Sequence, residues 1–177
     1  MKRLLTILLP ALLLCGCAAD SRYLEYTASA FEATVEGRIG ELDFTAEVRV
    51  GAPRDPKAEN PPPRDIEMTF LSPATLAGIR IARRDGRVSV TSGELVADGR
   101  YAADWLAAAD LLVPVGRITG TVKVVEGDVK MTRVEIRTGD LGLLTLWTDR
   151  SGYPLRIRSL SNGANIDISI RTFMPKQ

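Results

Sequence analysis

The sequence predicts a mainly-β, α+β domain: a single curved antiparallel sheet of about 9–11 strands, a half-barrel with a helix covering its concave face. Three observations carry that expectation. Apolar residues recur at every second position through a long series of segments. Hairpin-type turn residues separate those segments. One Ala- and Leu-rich stretch with a helical stripe interrupts the strands in mid-chain. A sheet this long can close only in part, and a helix inside it must bury its stripe against the concave side.

The elements follow in order. Tyr23 to Tyr26 reads as a short helix or extended lead-in. Phe31, Ala33, Val35 and Ile39 alternate with Glu32, Thr34, Glu36 and Arg38, and after Gly40 the series Leu42, Phe44, Ala46, Val48, Val50 alternates with polar partners. Residues 53 to 63 hold five of the ten prolines, which excludes a ladder strand and predicts a protruding loop. Ile66, Met68 and Phe70 resume the alternation up to Ser72-Pro73, with at most a turn of helix at Ala74 to Leu76. Ile79 to Ala82 and Val88 to Thr91 pair across Asp85-Gly86. The helix is expected over Tyr101 to Leu112, with Trp105, Leu106, Ala109 and Leu112 on its stripe and Pro114 stopping it. Strands return at Ile118 to Glu126, Val129 to Thr138, Leu143 to Asp149, Tyr153 to Ser159 and Ile166 to Ile170. The apolar phase slips from Val129 and Met131 to Val134 and Ile136, which predicts a β-bulge in that strand.

Composition removes several function classes. The chain has no histidine, and its two cysteines, Cys15 and Cys17, lie together near the N-terminus. Ser-His-Asp and Cys-His catalysis lack their base, and zinc and copper lack their preferred ligands, so no metal site, cofactor or disulfide is expected. Asp and Glu are scattered through turns and strand faces without a paired grouping, so the protein is not expected to be an enzyme. Lys and Arg number 23 and Asp and Glu 22; without Lys2 and Arg3 the balance is 21 to 22. No basic excess is left to bind nucleic acid.

The N-terminus carries the sharpest motif. Lys2 and Arg3 precede an apolar run from Leu4 to Leu14, too short to span a bilayer, and the run ends at Leu14-Cys15-Gly16-Cys17. This resembles the lipobox of bacterial lipoproteins. The resemblance implies that residues 1–16 are a signal peptide, that Cys17 is lipidated, and that residues 17–22 tether the fold at 23–177. Diacylglyceryl modification supplies more than one acyl chain and anchors stably. The location implied is the bacterial cell envelope, outside the cytoplasm. Ala18 in place of Asp permits outer-membrane sorting, and the outer face of the cytoplasmic membrane is the alternative.

Three further stretches are similar to the LolA/LolB-like lipoprotein-localisation superfamily. They are Met68 to Pro73 through Ile79 to Asp85-Gly86, Ala102 to Gly120, and Gly152 to Ile157 with Asn162-Gly163 and Ile166 to Phe173. The resemblance implies a half-barrel whose apolar concavity takes acyl chains. The candidate ligand-lining residues are then Phe44, Met68, Phe70, Leu76, Ile79, Trp105, Leu106, Leu112 and Leu146. An apolar helical stripe is first of all packing, so the alternative is a non-catalytic structural or interaction lipoprotein with a self-filled core. The partners expected are the membrane, through the N-terminal lipid, and a lipid or another lipoprotein, with the chain itself a monomer. Arg83 and Arg84, beside Asp85-Gly86, are expected at a solvated hairpin tip. Trp147 is placed on the strand face opposite Leu144 and Leu146.

Overall fold

Eleven strands form one antiparallel sheet in a computed structural model that describes residues 21–55, 62–99, 102–139, 142–161 and 164–176. Cys17, the apolar run before it and the middle of the proline-rich segment lie outside the described residues. The strands are β1 (Phe31–Ile39), β2 (Leu42–Val50), β3 (Ile66–Ser72), β4 (Arg80–Arg84), β5 (Arg87–Ser92), β6 (Leu95–Asp98), β7 (Arg117–Glu126), β8 (Val129–Arg137), β9 (Leu143–Thr148), β10 (Pro154–Ser161) and β11 (Ala164–Pro175). Their spatial order is β6-β5-β4-β3-β2-β1-β11-β10-β9-β8-β7. Two meanders therefore meet where β1 pairs with β11, and β6 and β7 are the two free edges. The chain must travel from one edge to the other between residues 99 and 116. That connection carries the α-helix, α1 (Ala103–Asp110), across the inner face.

Curvature comes from extra residues inserted at four places. Leu71, Thr119, Leu155 and Arg171 each stand unpaired where the register shifts between neighbouring strands. Each such bulge bends its strand and increases the local twist, which curls a long sheet. The bulge at Arg171 also restores the phase. Ile166, Ile168 and Ile170 face inward, and Phe173 regains that face opposite Ala33. The last strand is thus longer than the alternation up to Ile170 suggests.

Two other expectations are corrected by the register. The bulge foreseen in the strand from Val129 is in its partner, at Thr119; β8 pairs without a break against β9. Val134 and Ile136 face the core, while Val129 and Met131 lie on the outer face, which is why the apolar phase differs between the two halves of one regular strand. The helix is shorter than the stripe, since Leu111 and Leu112 form a turn before Pro114, and Tyr101 lies outside the described residues. Strand β6 escapes the alternation rule because it is a four-residue edge, exposed on both faces.

One end of the half-barrel is closed by a 3₁₀ helix, Ser21–Ala28. Tyr26 meets Phe31 and Phe173 edge-on, with ring centroids 5.9 and 5.6 Å apart. Arg64 ties this helix down, donating to the carbonyls of Thr27 and Ser29 at 2.5 and 2.6 Å and, through Nε, to Gly51 at 2.8 Å. Arg54 fixes the base of the proline-rich segment to Asp65, at 2.6 Å, and to Asp85. Tyr26 is buried, and its hydroxyl has no hydrogen-bond partner among the described residues. Burial pushes that hydroxyl well above the ordinary tyrosine range, with Arg64 pulling the other way. Replacing Tyr26 by Phe removes an unpaired buried oxygen and keeps the ring contacts, so the expected result in urea denaturation is a gain of up to about 1 kcal/mol. A loss of that size would mean the hydroxyl is bonded.

Candidate functional site

The concavity is built from alternate residues of both meanders. Phe44, Ala46 and Val48 of β2, Met68 and Phe70 of β3, and Ile81 of β4 supply one wall. Val134 and Ile136 of β8, Leu144 and Leu146 of β9, Ile157 of β10 and Ile168 of β11 supply the other. Helix α1 and the turn after it lie between these walls. All nine sequence-derived candidates are in one apolar cluster, so the fold brings them together. Phe44, Met68, Phe70, Leu106, Leu112 and Leu146 are each 3% exposed or less, and Leu76, Ile79 and Trp105 are partly buried at its margin. They pack mainly on one another.

Aromatic geometry fixes the helix over the sheet. The Trp105 ring stands edge-on to Phe70 at 5.1 Å and to Phe44 at 6.2 Å, and Phe44 is itself edge-on to Phe70. Phe44 can lie flat in this trio because Gly37 sits beneath it; a Cβ there would fall 2.6 Å from the ring. Leu76 and Ile79 flank the turn after β3, where the amides of Leu76 and Ala77 donate to the Pro73 carbonyl.

A polar contact joins helix to sheet, and residue patterning alone did not find it. Arg83 belongs to the inner face of β4, opposite Ile66, and not to a solvated hairpin tip. Its guanidinium takes both oxygens of Asp110 at 2.8 and 2.5 Å, a fork-to-fork pair at the last residue of α1. Asp110 holds Arg83 above its usual range, and the Arg83 side chain is 14% exposed. Arg84 points the other way and pairs with Glu67 on the outer face. The signal available in the sequence was the period of two: Ile81 inward requires Arg83 inward as well.

Helix α1 has little else to hold it. It has eight residues, its N-cap is Ala102 with no side-chain cap bond, and no basic residue sits in its last turn. Helices this short are marginal alone and depend on docking.

The outer face is polar and carries the second tryptophan. Trp147 lies there, as its position in β9 requires, under the guanidinium groups of Arg156 and Arg158 at 5.3 and 6.0 Å from its ring. Asp167 receives both arginines, Arg156 at 2.6 and 2.9 Å and Arg158 at 2.7 and 3.1 Å. These bonds, Arg156 first, hold the Asp167 carboxyl below the usual carboxylate range. A depressed folded-state value stabilises at neutral pH and loses that contribution as pH falls below about 4, the unfolded value. Asp167→Asn should therefore cost about 1 kcal/mol at pH 7, allowing for partial exposure, and less near pH 2. Urea titrations at both pH values check this; an equal cost at the two would show that charge is not the cause.

The sequence matches no protein-family model and no curated protein. Solved structures do match. MucB aligns with a TM-score of 0.54 and 16% identity over 92% of this chain, which spans only 60% of that protein's length. The Mycobacterium tuberculosis lipoprotein LppX aligns at 0.51 and 15% identity over 95% of this chain and 97% of LppX. An uncharacterized conserved protein from Thermus thermophilus aligns at 0.51 and 18%, over 89% and 85%. At these identities the likeness concerns the fold. The chain has an open half-barrel fold, a curved sheet with a helix laid across its hollow, and it shares that fold with MucB and the lipoprotein LppX.

Proposed function

We propose that this protein is a lipid-anchored lipoprotein of the bacterial cell envelope whose concavity accepts an acyl chain, from a lipid or an acylated protein, when α1 lifts away. Residues 1–16 act as the signal peptide, Cys17 carries the lipid, and residues 23–177 form the binding domain. The reading assigns no catalytic step and no metal or cofactor, and treats the chain as a monomer.

One observation carries it: the cover of the apolar hollow is a short helix without a side-chain N-cap bond, between two sheet edges, held among the described residues by side-chain packing and one ion pair. The magnitudes agree. Undocking α1 exposes Leu106, Leu112 and neighbours at about 1.5–3 kcal/mol for each large side chain, while an acyl chain buries about 0.8 kcal/mol per methylene. A chain of roughly a dozen methylenes offsets the loss of three or four such side chains.

The two tryptophans provide the test. With Trp147 replaced by Phe, Trp105 is the sole indole in the chain and reports on the hollow. A spin-labelled stearate should quench Trp105 in the purified full chain, and mass spectrometry should find copurified lipid. Absence of both rejects the reading. Incorporation of labelled palmitate, lost in Cys17→Ala, tests the anchor separately.

A second reading has its own support. Six of the nine candidate residues are at most 3% exposed, as in a core filled by its own side chains. A structural or interaction lipoprotein of that kind takes up no stearate and yields a protein partner on crosslinking.

A further inference from the structure

The closed end of the half-barrel brings several cationic side chains together. Antiparallel order brings the end of β7, the start of β8 and the turn after β9 to the same end as the start of β1, where the 3₁₀ helix packs. There Arg22, Lys123, Lys130 and Arg150 border one cleft of about 460 Å³. Lys123 and Lys130 belong to the inner face, since they share it with Thr121, Val125 and Thr132 in strands whose Val134 and Ile136 point into the core.

Several arginines elsewhere on this fold have acidic partners, such as Asp43 for Arg38, Asp110 for Arg83 and Asp167 for Arg156. Lys123, Lys130 and Arg150 form no ion pair among the described residues. The one carboxylate in the cleft, Asp149, already accepts the backbone N–H groups of Ser151 and Tyr153 at 2.8 and 2.9 Å. Arg22 is braced against Tyr23, 5.0 Å from its ring. A chain with 23 cationic and 22 anionic residues thus gathers Lys123, Lys130 and Arg150 around one carboxylate. Such a grouping repels itself unless an anion fills it.

The neighbours select the kind of anion. Val125, near the tip of the β7–β8 hairpin and on the same face as Lys123 and Lys130, borders the cleft and is 63% exposed. Cations beside an exposed aliphatic side chain match a head group joined to hydrocarbon better than a free ion.

We infer that this cleft binds the phosphate of an anionic phospholipid, with Lys123, Lys130 and Arg150 neutralising the head group and Val125 meeting the acylglycerol. The location fits a membrane lipid. Arg22 is five residues after Cys17, so an extended link places the cleft within about 17 Å of the anchor. That placement rests on the anchoring proposed above; the charge and apolar pattern do not.

The test titrates the full chain, in neutral maltoside micelles, with water-soluble dihexanoylphosphatidylglycerol, its phosphatidylcholine counterpart and inorganic phosphate, following backbone amide shifts. The anionic lipid should move amides of residues 123–132 and 149–150. Its affinity should fall at least about tenfold in Lys123→Glu/Lys130→Glu, and should also fall as ionic strength rises. Lys123→Gln/Lys130→Gln should give a smaller loss, and unchanged amide positions across β1 and β2 confirm that either variant is folded. Equal shifts with phosphatidylcholine, full reproduction by inorganic phosphate, or unaltered affinity in the Glu variant would each overturn the inference. Stearate quenching of Trp105 in the same preparation separates the two proposals, because either site can fail while the other binds.

Discussion

Replacing Arg64 by Ala is expected to lower the unfolding free energy by about 3 kcal/mol, because it strips charged donors from several half-buried carbonyls at once. The guanidinium reaches Thr27 and Ser29, on the exit from the 3₁₀ helix, and Gly51, at the end of β2. Gly51 also donates its own N–H to Asp65, at 2.8 Å, so this corner joins the lead-in, β2 and the proline-rich segment at a single side chain. Burial lowers the proton affinity of Arg64, the cost of holding a cation there. Three charge-assisted bonds, at about 1.5–3 kcal/mol each before that cost, outweigh it. Lysine should not rescue, since an ammonium cannot supply a planar fork to carbonyls on two sides. Denaturation should show the loss, and hydrogen exchange should place the earliest opening at residues 21–30. Unchanged stability in Arg64→Ala would mean that the 3₁₀ helix is held by Tyr23 and Tyr26 alone.

Much of this architecture was legible because period-two patterning survives wherever one strand face is buried. Phe44, Ala46, Val48 and Val50 declare β2 without ambiguity, and Asp85-Gly86 declares its hairpin because both residues take positive φ, 50° and 74°. The rule failed where its premise failed. β6 has no buried face, and β11 changes phase at Arg171, so neither obeys a single alternation. The candidate residues gathered as expected, since apolar stripes converge on whichever hollow the fold makes. Their convergence does not distinguish a ligand-lined wall from a packed core. Contacts between distant segments were the hardest to see. Arg64 to Thr27, and Arg83 to Asp110, join residues 37 and 27 positions apart, and only the closure of the sheet brings them together. Arg83 at least had an inward position in its strand; Arg64 lies in a proline-flanked loop, where no periodicity constrains it.

Leu106→Ala should produce the second large effect, and where it appears decides what the helix is for. Leu106 is 1% exposed, and truncating a leucine so buried costs about 2–5 kcal/mol when its surroundings cannot collapse. A docked cover offers another outcome. If α1 can leave, the cost is limited to the free energy of its docking, and the sheet keeps the remainder of its stability. Hydrogen exchange should then speed up over residues 103–112 by about a hundredfold, the equivalent of roughly 3 kcal/mol, with little change in β1, β2 and β11. Stearate should enter more readily, because a weaker occupant has to be displaced. Arg83→Met should act in the same direction by a smaller amount, since it removes the Asp110 link but leaves the stripe in place. A core that exists only to be filled behaves differently. Leu106→Ala would then loosen the sheet and helix together, unfold as one transition at the full cost, and leave Trp105 unquenched. The contrast works because the same side chain is a lid contact in one case and a keystone of the whole domain in the other.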